Sequence, residues 1–238
     1  MKRVAVCISG HVRSFEKGFE NFKSKVIDQN KSFEFDFFID TWETKDWRTE
    51  DKFKETSESI EEIKALYRPV KVVVEKDIEW DTSNFMKFVK DPSWVKKGYK
   101  KVRSKGEHIL GMYYKIRNCN YLKSQHEEEN GFEYDLVIRH RTDLGFESKI
   151  NLDEILKDTK DKIYVAKLRE NQKSAGQPIN DVLGISSSKN MDEYSKVFDN
   201  IEEIVTESEI FRPEWILDFH LKKEKLNTQE VTSPWFII

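Results

Sequence analysis

Val4-Ala5-Val6-Cys7-Ile8, followed at once by Ser9-Gly10, is an unbroken apolar run of strand length in which three of five residues are β-branched. A strand that is apolar on both faces has no solvent side, the pattern of a central strand in a parallel sheet covered by helices above and below. Beyond it, Phe15, Phe19 and Phe22 recur at spacings of four and three, which predicts a helix. Residues 35–40 (Phe-Asp-Phe-Phe-Ile-Asp) then read as a second strand, 60–66 as a helix and 70–75 as a third strand. Strand and helix in alternation predict an α/β fold: a mixed, mostly parallel sheet with helices on both faces.

In the second half, Ile109, Met112, Tyr113, Ile116, Tyr121 and Leu122 place a helix over 107–129, stopped by Asn130-Gly131. It leads into a strand at 136–140. Residues 162–167 and 181–186 read as further short strands, and 190–205 and 213–226 as helices. The last helix opens with Pro213-Glu214, a proline suited to the first turn and a carboxylate near the positive end of the helix dipole. Residues 43–62 read as an exposed loop running into a helix. Between Asp81 and Glu107 stand Lys87, Lys90, Lys96, Lys97, Lys100, Lys101, Arg103 and Lys105, interleaved with Phe85, Phe88, Trp94 and Tyr99. This basic, aromatic stretch, about 79–106, reads either as a binding loop or lid or as a solvated face packed by its aromatics. One domain over 1–238 accounts for the whole pattern.

The 41 basic and 44 acidic residues leave a formal charge of -3, so no global field recruits nucleic acid and any anion site is local. Cys7 and Cys119 lie in apolar runs without metal-ligand spacing and read as core thiols of a reducing compartment. The start, Met1-Lys2-Arg3, precedes an apolar run too short for a signal peptide, and no stretch approaches the roughly 18–20 apolar residues of a membrane span. The expectation is a cytoplasmic protein, complete at its start.

Chemistry concentrates in Tyr134-Asp135-Leu136-Val137-Ile138-Arg139-His140-Arg141-Thr142-Asp143-Leu144, where an apolar strand ends in packed charge. Ligands of open α/β sheets bind beyond the carboxyl ends of the strands. The first strand ends similarly, in Ser9-Gly10-His11-Val12-Arg13, where Gly10 permits close approach of a ligand and Arg13 offers a planar fork to a phosphate. Neither a Gly-x-Gly-x-x-Gly turn nor a Gly-Lys-Ser/Thr loop is present, so a nucleotide here would need another kind of site.

Residues 5–13, 35–42 and 134–144, together with Asp181-Val182-Leu183-Gly184-Ile185-Ser186-Ser187-Ser188, resemble in the same order small glycosyltransferase-like proteins of the GT-A fold, of the kind found in bacterial polysaccharide loci and large viruses. The resemblance covers most of the chain and least of 79–106. It implies a nucleoside-diphosphate sugar donor, a glycan or other hydroxyl acceptor, a divalent metal (manganese or magnesium), and an Asp-x-Asp-type metal element after the fourth strand. That element reads Arg141-Thr142-Asp143 here, with arginine in place of the first acid.

On that reading Asp143 holds the metal, with a strand-end cap or salt bridge as the alternative, and His220, late in the chain, completes its shell or is a surface or core residue of its helix. Ser9, Gly10, His11, Arg13, Asp40, Lys115, Arg139 and Arg141 would bind the donor, with Trp42 either stacking on a ring or belonging to the core. Arg139 and Arg141 share a strand face by their two-residue spacing. If the reaction inverts the anomeric centre, a carboxylate must accept the acceptor's proton; Asp181 leads, with Glu214 and Asp218 as alternatives and a helix-capping role for Glu214 also open. His108 and His126 read as surface residues. Two other classes remain: a GT-A-like sugar- or nucleotide-binding module that has lost catalysis, and a sugar-phosphate nucleotidyltransferase, although the segment after the first strand is poor in the glycines of such enzymes.

Overall fold

The computed structural model describes residues 1–43, 57–88 and 105–238, with backbone alone at 57–59 and 105. Strand β1 (Lys2–Ser9) lies inside the sheet, pairing in parallel with β2 (Phe33–Trp42) through Val4↔Phe35 and with β4 (Leu136–His140) through Val4↔Leu136. Outside β2 runs β3 (Lys71–Glu75), also parallel. On the other side, β7 (Gly184–Ser186) pairs antiparallel with β4, β6 (Lys162–Val165) antiparallel with β7, and β8 (Asn227–Glu230) parallel with β6. The order is β3-β2-β1-β4-β7-β6-β8, and β7 alone runs against the rest. A separate antiparallel pair joins β5 (Leu144–Phe146) to β9 (Trp235–Ile237).

The double-sided apolar character of β1 decides the layering. Val4, Val6 and Ile8 enter one core, with Phe15 and Phe22 of α1 (Phe15–Lys25) and Ile63 of α2 (Ser57–Tyr67). Ala5 and Cys7 enter the other, against α3 (Lys105–Asn130), and this layer also contains α6 (Ser188–Ser195), α7 (Ile201–Ser208) and α8 (Pro213–Lys223). Each such fully buried Val, Ile or Phe contributes about 1.5–3 kcal/mol. Two short helices, α4 (Leu152–Leu156) and α5 (Glu170–Ser174), flank β6 in the chain. The expected mixed, mostly parallel sheet between two helical layers is the architecture of the protein.

Several local expectations are corrected. The helix expected over 190–205 is two, α6 and α7, broken at 196–200 by Asp199-Asn200, residues whose side chains favour turns. The strand expected over 181–186 begins only at Gly184, which leaves Asp181 in the preceding bend. Of the 79–106 stretch, Ser83–Phe88 forms a 3₁₀ turn whose Phe85 stacks on Phe211, with ring centres 4.9 Å apart; residues 89–104 lie outside the described residues, as do 44–56. Cys7 and Cys119 are buried free thiols. Among the described residues no helix is long and apolar enough to cross a membrane.

Candidate functional site

A crevice of about 200 Å³ opens at the carboxyl ends of β1 and β4. The β1 exit supplies Ser9, Gly10, His11 and Arg13, the β4 exit supplies Arg139, Arg141 and Asp143, and Trp42 closes the end of β2. Gly10 turns the chain at φ +97°, a backbone that L side chains rarely adopt, and its N–H donates to the Asp40 carbonyl at 3.0 Å. The two exits are tied together by Thr142, which is buried. Its Oγ1 donates to the His11 carbonyl at 3.2 Å and accepts the Arg13 N–H at 3.1 Å.

Asp143 lies behind two guanidinium groups. Arg141 donates through Nε to Oδ1 at 2.9 Å and through Nη2 to Oδ2 at 2.8 Å, and Arg13 Nη1 stands 3.4 Å from Oδ2. The Asp143 side chain is 3% exposed against 17% for Arg13 and 24% for Arg141. Burial would raise its pKa, but the charges and hydrogen bonds of Arg141 and then Arg13 outweigh it and hold the carboxyl below the usual aspartate range. Asp143 is therefore an anion at neutral pH with both oxygens engaged.

This donor set does not fit the divalent ion implied by the sequence resemblance. An ion bound to Asp143 would sit within a few ångströms of two fixed cations, and like unit charges about 4 Å apart repel by roughly 4 kcal/mol at an effective dielectric near 20. His220 cannot complete a shell from where it lies. It is buried on α8, where its Nε2 is 2.7 Å from the Glu193 carbonyl, and burial holds its pKa below the usual histidine value. Among the described residues, no group of three or more His, Cys, Asp or Glu is placed to hold a metal ion.

Asp40 and Lys115, expected to touch a donor, stand instead behind Trp42. Lys115 Nζ is 2.6 Å from Asp40 Oδ1, also bonds Glu75, and lies 4.0 Å from the centre of the Trp42 ring; it is fully buried. Burial raises the Asp40 pKa to about 6, with Lys115 pulling the other way. Tyr114 stacks on Trp42 at a ring separation of 6.0 Å. The ion pair thus fixes the indole that lines the crevice, which a lone surface tryptophan would not achieve.

Arg139 joins this crevice to the bend at Asp181. It is 3% exposed, and its Nη1 donates to the backbone carbonyl of Asp181. Among the described residues no carboxylate lies within ion-pair distance of it, so a buried cation lines the crevice without an anionic partner. Glu214, in the first turn of α8, has its pKa raised to about 7, first by burial and then by the charge of Asp181. The N-cap residue Arg212 makes no side-chain cap bond, while Glu214 stands in the first turn with its carboxylate bonded to its own backbone, so a role at the helix start stays open to it. Asp218 is engaged elsewhere: its Oδ2 accepts from Lys222 Nζ at 2.8 Å along the surface of α8.

The fourth wall was not legible in the sequence. Glu107, His108, Gly111 and Met112, on the first turns of α3, line the crevice, so His108 is not the surface residue expected. The periodicity of α3 marks which residues share a face, but not which turn meets the tip of a strand. A wider groove of about 840 Å³ between α3 and α6 is a weaker candidate, because five of its six charged lining residues are already paired, through Arg117–Asp199, Lys196–Glu193 and the bond of Asp192 to Lys123.

No family model matches the chain, and no curated protein matches it. Among solved structures, a protein described as a glucose-1-phosphate thymidylyltransferase from Bacillus anthracis, in complex with sucrose, superposes with a TM-score of 0.44 and 12% identity, over 100% of this chain and 89% of that one. A likeness of that extent bears on neither the reaction nor the substrate.

Proposed function

We propose that the protein is a glycosyltransferase, one domain that moves a sugar from a nucleoside-diphosphate sugar to a glycan or other hydroxyl acceptor. The observation that carries this reading is the convergence of Arg13, Arg139 and Arg141 at the carboxyl ends of β1 and β4. Three arginines beside a buried tryptophan suit a ligand with a multiply charged phosphate and a planar base. In the transfer, the bond from the anomeric carbon to the diphosphate oxygen breaks and a bond to the acceptor oxygen forms. Negative charge grows on the departing diphosphate, and fixed cations in a partly dry crevice stabilise it.

The acceptor's proton needs a base. The candidates are Asp181, whose backbone carbonyl accepts from Arg139 of the crevice wall, and Glu214, whose pKa, raised to about 7 by burial and the Asp181 charge, suits a base. No step in this scheme passes through a divalent ion.

The test is a panel of nucleoside-diphosphate sugars incubated with the protein, with release of nucleoside diphosphate followed by chromatography, with and without mixed glycan acceptors. Release that is lost in Arg141→Ala supports the reading. Pyrophosphate formed from a nucleoside triphosphate and a sugar 1-phosphate would replace it with nucleotidyltransfer. Tight binding of a sugar nucleotide with no turnover under any acceptor would replace it with a non-catalytic binding module.

A further inference from the structure

Resting on the sugar-nucleotide reading, we propose that this crevice binds the donor's diphosphate without a divalent cation, through the guanidinium groups of Arg13 and Arg141, oriented by Asp143, with Arg139 as a third cation. The order of exposure carries this. A carboxylate that recruits a metal must present an oxygen to the incoming ion. Here the oxygens lie behind the arginines, at 3% exposure for the Asp143 side chain, and the groups a ligand meets first are the guanidiniums at 17% and 24%.

Geometry assigns Asp143 a positioning task. The side-by-side bonds from Arg141 Nε and Nη2 fix the plane of that guanidinium, leaving Nη1 and the outer edges of both Nη groups for an acceptor. Arg13 is set from two sides: its backbone N–H is tied to Thr142 Oγ1, and its Nη1 approaches the same carboxylate. Arg139 adds a buried cation that no carboxylate among the described residues neutralises. Among the described lining residues, three arginines stand against Asp143 and Glu107, one net positive charge before any ion is added. A diphosphate brings at least two negative charges to that wall, and the described arginines attract it without an added ion. The metal-holding task and the phosphate-holding task compete for one carboxylate, and the arginines already occupy it.

The experiment is calorimetric binding of UDP, GDP, CDP and dTDP to the full chain, each in EDTA and in manganese, for the wild type, Arg141→Lys and Asp143→Asn. The expected result is that at least one of these nucleotides binds with affinity equal, within about twofold, in EDTA and manganese. Arg141→Lys, which keeps the charge but loses the fork, should weaken that binding about tenfold in both. Asp143→Asn should retain measurable binding in EDTA, since the arginines remain. Binding that requires manganese and disappears in EDTA or in Asp143→Asn would overturn this inference while leaving the sugar-nucleotide reading intact. Absence of binding by all four nucleotides in both conditions would overturn the two together.

Discussion

The carbonyl oxygen of Thr142 stands 1.8 Å from where a Cβ on Gly18 would be. Helix α1 therefore lies against the loop that carries Arg141 and Asp143 only with glycine at that position. Gly18→Ala sets two effects against each other. Alanine favours a helix over glycine by about 1 kcal/mol. Overpacking against a backbone atom, which no rotamer change relieves, costs about 1–3 kcal/mol. The packing term should win, giving a net loss of roughly 1 kcal/mol in urea denaturation together with weaker nucleotide binding. A variant as stable as the wild type, or more so, would show that α1 is free to shift away from the site.

Lys115→Met tests whether the buried ion pair behind Trp42 supports the crevice. Removing one partner of a buried pair costs about 3–5 kcal/mol, because the other charge is left behind. The pH dependence follows from Asp40, whose pKa is raised to about 6 by burial against the pull of Lys115. The fold favours its protonated form, so its contribution to stability is complete below the unfolded value near 3.9 and is lost as pH rises through about 6. Without Lys115 the pKa climbs further and the loss continues into neutral pH. Denaturation near pH 5 and near pH 8 should show the larger deficit at the higher pH, and adding Asp40→Asn should recover much of it. A deficit independent of pH would mean that Asp40 does not sense Lys115.

Legibility divides along physical lines. β1 and β4 could be read because both faces of each are buried, which writes continuous apolar runs; β8, Asn227-Thr228-Gln229-Glu230, is exposed throughout and held by its backbone ladder to β6, so it leaves no pattern. The anion crevice could be read at Ser9-Gly10 and Arg139-His140-Arg141, since charge at the end of a buried strand needs a reason. The state of Asp143 could not. Its type suggests a metal ligand, whereas its second cation, Arg13, comes from 130 residues away in the chain, and Thr142, which ties the two exits, has partners equally remote. His140 is of the same kind: among arginines in the sequence, it packs on the opposite side, its ring 4.7 Å from Phe22 and 5.8 Å from Phe146.

That placement gives His140 a testable signature. Burial, reinforced by Arg139, pushes its pKa down to about 3. The neutral ring is the folded form, so its contribution to stability is present above the unfolded value near 6.5 and is lost as pH falls toward 3. The His140 ring resonances should not titrate between about pH 5 and 8. His140→Phe should change stability by less than about 1.5 kcal/mol at neutral pH, be more stable than the wild type near pH 5, and leave nucleotide binding unaltered. Weakened binding with an intact fold would show that His140 supports the ligand.

Glu214 couples stability and turnover in opposite senses. Burial first, and the Asp181 charge second, raise its pKa to about 7. Its stabilising contribution is complete below the unfolded value near 4.3 and is lost as pH rises through 7, while a base that must be ionised gains activity over the same interval. Turnover should thus climb to a plateau above about pH 7 as the melting temperature declines. Glu214→Gln should lower kcat by about 10²–10⁴-fold and flatten the decline in melting temperature. Asp181→Asn separates the two carboxylates: deleting the neighbouring charge should move the midpoint of the pH–rate curve downward while preserving most of kcat. If Asp181→Asn abolishes turnover and Glu214→Gln leaves the rate and its pH midpoint in place, the base is Asp181, and Glu214 serves only as the partly buried carboxylate at the start of α8.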